Sequence, residues 1–293
     1  MGLATLHAER KMDPMRGAPS DSRRQVPTSS LVPFLLVTFG LVWAVLGSYI
    51  LRPEQMARTF GQMTGQHPLF YLAVYAPAIA AFPIVARYGG LKGLRCYLSR
   101  LRLWYSSPAW WAFLVVGLPL VFFVGAVLKG DLVAAMPRFS SWQSLAALLG
   151  LVVIKGPVEE FGWRGLALPL LQRRLAPIWA ALILGMVWGF WHLPAFLLSG
   201  TQQSAWSFAP FFVGTVAISV LMTALFNASA GSILLAALFH FQLINPLWPD
   251  AQPYDTYLLV VTAVVVVLLN RASMFSSEGA VTEVIPKEGV ATE

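Results

Sequence analysis

Long apolar stretches separated by short polar segments run through most of the chain. Each stretch is near the roughly 20 residues that an α-helix needs to cross the hydrocarbon core of a bilayer. The pattern therefore predicts an all-α protein, a polytopic membrane helical bundle of about eight transmembrane helices. The predicted spans cover residues 31–51, 67–87, 109–128, 144–168, 178–198, 207–226, 231–247 and 255–270.

Polar segments flank this apolar region on both sides. Residues 1–30 are predicted to be a disordered cytoplasmic N-terminal tail and residues 271–293 a disordered C-terminal tail, because both are poor in apolar residues. Between them, residues 31–270 show neither an internal repeat nor a linker. We therefore expect one transmembrane domain with a tail at each end.

The basic residues indicate how this domain is oriented. With the N-terminus in the cytoplasm, fifteen of the 20 Lys and Arg residues fall on the cytoplasmic side and four on the other side, while Lys155 lies within a span. Cytoplasmic loops of membrane proteins carry such an excess of positive charge. The sequence predicts a multi-pass integral membrane protein with both termini cytoplasmic, in the cell (plasma) membrane of a prokaryote.

Composition supports a membrane protein over a soluble one. Hydrophobic residues make up 57% of the chain and charged residues 11%, against about 25% charged in an average soluble domain. The net charge of +7 follows particular loops, so membrane lipids rather than nucleic acid are the expected partners. Cys96 is the single cysteine, which excludes an internal disulfide and a cysteine-based zinc cluster.

One charged cluster interrupts the apolar pattern. The sequence GPVEEFGWRG carries two adjacent carboxylates, Glu159 and Glu160, followed by Arg164, inside the fourth predicted span. Ionisable side chains are costly to bury in a membrane and usually mark a functional site. The cluster is therefore the first candidate for chemistry in this chain.

Helix geometry separates the two acids. Glu160 and Arg164 are spaced i, i+4 with the acid first, which favours a direct ion pair. Glu159 is turned by about 100° from Glu160, so it is free to face a cavity and to act as a base. Lys155 offers an alternative, because it precedes Glu159 by four residues and could neutralise it, although Pro157 disturbs the turn between them.

Two histidines lie inside other predicted spans. His192 occurs in GMVWGFWHLPAF and His240 in ILLAALFHFQLINP. Either one alone is compatible with a hydrogen bond between helices and no further role. Together with Glu159, however, they place ionisable groups on three separate spans of one bundle, which favours a shared site.

A shared site requires the three groups to lie at a similar depth. A regular fourth helix beginning near Leu145 and reaching about Pro169 would bring Glu159 toward the middle of the membrane. At 1.5 Å of rise per residue, Glu159 would then lie within roughly two turns of His192 and His240.

These residues resemble the motifs of the CAAX protease and bacteriocin-processing (CPBP, or ABI) family, whose eukaryotic members are the type II CAAX prenyl endopeptidases. The family pattern is Glu-Glu-x-x-x-Arg, then aromatic-x-x-x-His, then His-x-x-x-Asn, on separate transmembrane helices. The resemblance covers about residues 140–247, with a Trp where Phe is commoner in the second motif. The first two motifs are matched by Glu159, Glu160, Arg164, Trp188 and His192.

The third motif departs from the family spacing. Counting from His240, Ile244 occupies the position of the expected Asn, and Asn245 follows one residue later. On a regular helix this shift turns Asn245 about 140° away from His240. Pro246 disfavours α geometry at residue 245 and could let the amide swing back, and Gln242 is another candidate donor.

The resemblance implies an intramembrane endopeptidase. Its expected substrate is a protein or peptide, prenylated or hydrophobic at its C-terminus, cleaved near that end or within a membrane-embedded part. The site residues carried over by resemblance are Glu159 as base, His192 as its partner, His240 and Asn245 on the oxyanion side, and Glu160 and Arg164 as site-shaping residues.

No cofactor is expected, with zinc as the alternative. An older interpretation of the family invokes a metal, and Glu159, His192 and His240 form an acceptable zinc ligand set. The sequence contains no HExxH helix, so such a site would be assembled from distant segments.

Two other functions fit the same buried charges. A proton-coupled transporter could use the Glu and His side chains as a relay, although no repeat of span pairs is present. A non-proteolytic immunity or scaffold protein could retain the motif residues without cleaving a substrate, and the shifted Asn245 is compatible with that role.

Overall fold

The computed structural model describes residues 25–130 and 132–286. Every regular element in these residues is helical, which confirms the all-α prediction. Residues 1–24 and 287–293, which fall in the two predicted tails, lie outside the described residues.

Between residues 25 and 140, the described part of the chain contains seven α-helices. A short 3-10 turn, Thr28–Ser30, precedes the first, and a π-helical turn, Phe113–Gly117, joins the fifth to the sixth. The helices are α1 (Leu31–Leu51), α2 (Pro53–Phe60), α3 (Pro68–Val74), α4 (Ala76–Leu98), α5 (Pro108–Ala112), α6 (Leu118–Lys129) and α7 (Leu132–Ala135).

The C-terminal part contains nine more α-helices, and all three sequence motifs fall within it. The helices are α8 (Trp142–Lys155), α9 (Glu160–Gly162), α10 (Leu168–Gln172), α11 (Pro177–Trp191), α12 (Leu193–Phe196), α13 (Phe208–Ala228), α14 (Ile233–Leu243), α15 (Tyr254–Leu269) and α16 (Arg271–Phe275). Helices α11, α13 and α15 pack side by side. Gly185 of α11 allows the close approach, because a Cβ there would lie 2.8 Å from the Val216 backbone of α13.

Several helices have the length and composition of membrane spans, so the protein is an integral membrane protein. Four of them qualify singly: Thr28–Leu51, Pro108–Lys129, Pro177–Phe196 and Phe208–Ala228. Pro68–Val74 and Ala76–Arg102 make a fifth candidate as a pair bent by 50°, while Ile233–Leu243 and Tyr254–Leu269 are shorter apolar helices. The total of eight spans stays a prediction.

The fourth predicted span is not the regular helix that we expected over residues 144–168. It begins at Trp142, not near Leu145, and its α geometry ends at Lys155. A 3-10 turn (Gly156–Glu159) follows, and a π-helical turn (Trp163–Ala167) comes after α9. Pro157 accounts for the first break, because it lacks the amide that would bond to the carbonyl four residues earlier.

Residues 271–286 do not form the disordered tail that we expected from their polarity. Val284 and Ile285 are 0% and 2% exposed and belong to the main hydrophobic core. The Arg173 side chain donates hydrogen bonds to the carbonyls of Val26 and Thr282, so it joins the segments at both ends of the described chain. The apolar side chains of this short segment therefore bury against the bundle.

Candidate active site

Gly156 brings the acidic segment into direct contact with α14. A Cβ at this position would lie 2.6 Å from both His240 Nε2 and Ile244 Cδ1, which is shorter than any ordinary contact. Only a glycine allows the imidazole to rest against the turn that carries Glu159. The sequence pattern alone indicates no role for Gly156.

The glycines of the FGWRG segment seat the same stretch against α4. A Cβ at Gly162 would lie 2.6 Å from the carbonyl oxygen of Pro77, and one at Gly165 would overlap the Tyr97 hydroxyl. That hydroxyl donates a hydrogen bond to the carbonyl of Phe161. Close packing of this kind restricts the backbone that carries the two acids.

Glu160 lies between a guanidinium and an imidazole. Its carboxylate is 3.1 Å from Arg164 Nη1, which is the i, i+4 pair expected from the spacing, and 2.6 Å from His240 Nδ1. Glu160 and Arg164 are 0% exposed and His240 is 5% exposed. A carboxylate that accepts from Nδ1–H fixes the imidazole so that Nε2 is the nitrogen left for chemistry.

Glu159 is held by an indole. Trp188 Nε1 donates to Glu159 Oε2 at 3.0 Å, and both side chains are buried. The Trp188 carbonyl is also 2.8 Å from His192 Nδ1 one turn later, at the C-terminal end of α11. One residue therefore orients the carboxylate through its side chain and the imidazole through its backbone.

The Trp188 ring also lies close to both histidines and to Arg164. Its centroid lies 5.6 Å from that of His192 and 5.5 Å from that of His240. The guanidinium carbon of Arg164 lies 4.4 Å from the ring centroid, which is a cation–π contact. From the sequence, Trp188 was predicted only as the aromatic position of the second motif. Its helical spacing from His192 was the available signal for a role.

Lys155 does not pair with Glu159 in the way that the alternative required. Its ammonium group donates to the Gly65 carbonyl at 3.0 Å and lies 4.9 Å from the ring centroid of Phe70. The lysine is therefore directed toward the loop that precedes α3, and Glu159 is hydrogen-bonded to Trp188 instead.

Asn245 reaches the site because α14 ends before it. The helix stops at Leu243, so the 140° rotation expected on a regular helix does not apply. The Asn245 amide donates to Gln242 Oε1 at 3.0 Å, and its oxygen accepts from the Leu247 amide. Gln242 donates its own amide to the Leu114 carbonyl and does not line the cavity, whereas Asn245 does, which makes Asn245 the better placed donor.

These side chains surround one cavity of about 790 Å³. Glu159, His192, His240 and Asn245 all contribute to its wall, while Glu160 and Arg164 lie behind it. The cavity is therefore lined by four polar groups predicted from the sequence, and it is large enough for a peptide segment.

Among the residues that the structure describes, no three His, Cys, Asp or Glu side chains are grouped so that they could hold a metal ion. The Nδ1 atoms of the two histidines are bonded to Glu160 and to the Trp188 carbonyl, so Nε2 is the nitrogen of each ring that remains for chemistry.

Part of the chain is similar to known proteins. Residues 141–244 match the model of the type II CAAX prenyl endopeptidase Rce1-like family. The chain is also 28% identical over 153 residues to CAAX prenyl protease 2 of Methanococcus maripaludis, across 48% of this chain and 56% of the relative. It thus aligns with little more than half of that relative's length.

The family match includes both acids, Arg164 and the two histidines, and ends one residue before Asn245. Glu159, His192 and His240 on the cavity wall thus lie in the matched segment, and Asn245 lies just outside it. On this evidence residues 141–244 of the chain are similar to the type II CAAX prenyl endopeptidase Rce1-like family.

Proposed function

We propose that this protein is an intramembrane endopeptidase that hydrolyses a peptide bond near the C-terminus or in a membrane-embedded part of a protein or peptide. The observation that carries the proposal is the meeting of Glu159, His192, His240 and Asn245 on the wall of one cavity. Substrates with a prenylated or hydrophobic C-terminus fit the name of the relative and the family.

In this mechanism Glu159 is the general base. Its carboxylate accepts a proton from a substrate water while His192 Nε2 accepts a hydrogen bond from the same water and orients it. The water oxygen then bonds to the scissile carbonyl carbon and forms a tetrahedral oxyanion. When the C–N bond breaks, Glu159 returns the proton to the leaving nitrogen, and the products are a carboxylic acid and an amine.

The oxyanion is stabilised from the opposite side. His240 Nε2 and the Asn245 amide are the candidate donors, and donors fixed before the reaction act strongly in a site that excludes water. Because Nδ1 of His240 is bound to Glu160, Nε2 donates when the ring is protonated. Glu160 and Arg164 are positioning residues, since they act through His240 and Trp188.

We also propose the domain and membrane arrangement. Residues 31–270 form the transmembrane domain, both termini are cytoplasmic, and the membrane is the cell membrane of a prokaryote. The excess of Lys and Arg in the predicted cytoplasmic segments supports this orientation. Residues 271–286 join the packed body as an additional cytoplasmic segment.

Cleavage of defined peptides by the purified protein tests the proposal. Wild type is expected to cleave peptides with a prenylated or hydrophobic C-terminus, and Glu159→Gln to lose at least about 100-fold in kcat, because it has no base. Asp255→Asn removes another carboxylate from the wall of the same cavity and is the matched control, which retains measurable cleavage. Full cleavage by Glu159→Gln would remove the proposed base.

The same assay separates the glutamate mechanism from a metal mechanism and from functions without catalysis. A chelator is expected to leave cleavage unchanged, whereas loss of activity that zinc restores would assign Glu159, His192 and His240 as ligands. Absence of cleavage of every peptide by folded wild type would favour the immunity, scaffold or transporter alternatives.

A further inference from the structure

One face of α8 on the cavity wall ends in a positive charge. The residues of α8 that line the cavity follow a spacing of i, i+3, i+4 and i+7, which places them on one side of the helix. They are Leu148, Leu151, Val152 and Lys155. Glu159 follows Lys155 by four positions and lines the same cavity. The wall therefore leads from apolar side chains through an ammonium group to the proposed base.

Lys155 is held in place by groups that carry no negative charge. Its Nζ donates to the Gly65 carbonyl at 3.0 Å and lies 4.9 Å and 5.9 Å from the ring centroids of Phe70 and Tyr71. All three of these residues also line the cavity. An ammonium group has three N–H donors, and the carbonyl takes one of them. The position of the charge is thus fixed while donor capacity remains for a ligand.

No carboxylate in the described part of the chain forms an ion pair with this ammonium group. The ion pairs among residues 25–130 and 132–286 join other side chains. Glu159 accepts from Trp188 instead, and Glu160 is bound to Arg164 and His240. A charge without a counter-charge is costly in a membrane protein, and an anionic ligand in the cavity would lower that cost.

We infer that Lys155 binds the terminal carboxylate of the substrate, so that the enzyme acts close to a free C-terminus and not within an internal membrane-embedded segment. The cleavage part of this inference rests on the proposed function, whereas the binding of the carboxylate does not. An apolar peptide carries its α-carboxylate only at its end, and a lysine ammonium forms strong charge-assisted hydrogen bonds with such a group.

The separation of Lys155 from Glu159 limits the length of the fragment that is released. Their Cα atoms are between roughly 6 Å apart, as in a regular helix, and roughly 14 Å apart, as in an extended chain. An extended substrate covers about 3.3–3.6 Å per residue, so the part between the scissile bond and the bound carboxylate is on the order of two to four residues long. The apolar face of α8 beside Lys155 can contact the side chains of this short fragment.

Cleavage of matched peptides tests the role of Lys155. The prenylated and hydrophobic peptides of the cleavage assay are synthesised in two forms, one ending in a carboxylate and one in an amide. For wild type we expect kcat/KM to be at least about tenfold higher for the acid form, mainly through KM, since binding of the carboxylate precedes the chemical step. Lys155→Gln should remove this preference and leave kcat/KM for the amide form within about threefold of wild type.

Two further variants separate the charge of Lys155 from its shape. Lys155→Arg keeps a cation and should retain most of the preference for the acid form. Lys129→Gln removes a lysine that pairs with Asp250 and does not line the cavity, so it should keep the wild-type ratio. A lysine with only a structural role would lower cleavage of both forms equally when it is replaced by Gln. That result, or equal cleavage of the two forms by wild type, would overturn the inference.

Peptide binding to an inactive variant keeps this inference distinct from the proposed function. In Glu159→Gln, fluorescent versions of the two forms should differ in Kd by at least about tenfold in favour of the acid, and the added Lys155→Gln change should make the Kd values equal. Tighter binding of the acid form by a protein whose wild type cleaves nothing would contradict the proposed function alone. Cleavage of both forms at equal rates, with equal Kd values, would contradict the role of Lys155 alone.

Discussion

At the scale of single residues, Trp188 connects groups that the sequence pattern treats separately. It donates to Glu159, holds His192 through its carbonyl and lies against Arg164. The four residues come from two segments of the chain, so none of these contacts follows from helix spacing except the one to His192. A buried indole is suited to this position because it is an uncharged donor.

Trp188→Phe should lower kcat by about tenfold and change KM little, because the ring remains between the histidines while the hydrogen bond to Glu159 is lost. A net worth of about 0.5–1.5 kcal/mol for one hydrogen bond corresponds to that change. Steady-state kinetics of peptide cleavage provide the measurement. Trp179→Phe is the control, since Trp179 is 54% exposed on the same helix and should leave kcat unchanged. Wild-type kinetics for Trp188→Phe would show that the hydrogen bond does not position Glu159.

At the scale of helices, the break in the fourth span is what assembles the site. The 3-10 turn that follows α8 presents Glu159 to the cavity, and Glu160, the first residue of α9, contacts His240. Gly156 starts this turn and leaves room for the His240 ring.

Gly156→Ala is expected to reduce cleavage at least about tenfold and to lower the unfolding temperature. The added methyl group would overlap His240 Nε2 and Ile244, and overpacking in a core costs about 1–3 kcal/mol. Gly150→Ala in α8 is the matched control, because a Cβ there meets nothing within 4 Å. Both variants are compared by peptide cleavage and by thermal unfolding in detergent. Equal behaviour of the two would mean that the His240 contact is dispensable.

At the scale of the whole molecule, the segment after α16 completes the core at the end of the bundle where residues 25–30 also lie. Ile285 is 2% exposed, and a Cβ on Gly89 of α4 would lie 2.6 Å from its Cδ1, so the side chain occupies the groove that this glycine provides. Val284 is fully buried beside it. The segment therefore contributes apolar contacts to the bundle as well as hydrogen bonds to Gln172 and Arg173.

Ile285→Ala should destabilise the protein by about 2–5 kcal/mol, since it leaves a cavity in a packed region. Glu278→Ala, in an exposed part of the same segment, should change stability by no more than about 0.5 kcal/mol. Thermal or denaturant unfolding of the purified protein measures both. A neutral Ile285→Ala would indicate that the segment rests on the bundle without stabilising it.

The sequence was sufficient for the features that depend on local pattern. Apolar stretches predicted the helices, and the i, i+4 spacing predicted the Glu160–Arg164 pair, which forms at 3.1 Å. The bond between Glu160 and His240 joins residues 80 positions apart, and no local rule indicates it. The docking of residues 281–285 was missed because a stretch of only a few apolar residues carries little periodic signal.

The hydrogen bonds of Arg173 to Val26 and Thr282 have a consequence for the order of assembly during synthesis. Residues 281–285 leave the ribosome after every helix that they contact, so the bundle is inserted while the groove that they fill is still open. A nascent chain halted before residue 281 would display Arg100, Gln172 and the apolar groove over α4 to chaperones and proteases. The groove is therefore closed only in a chain that has been synthesised through residue 285.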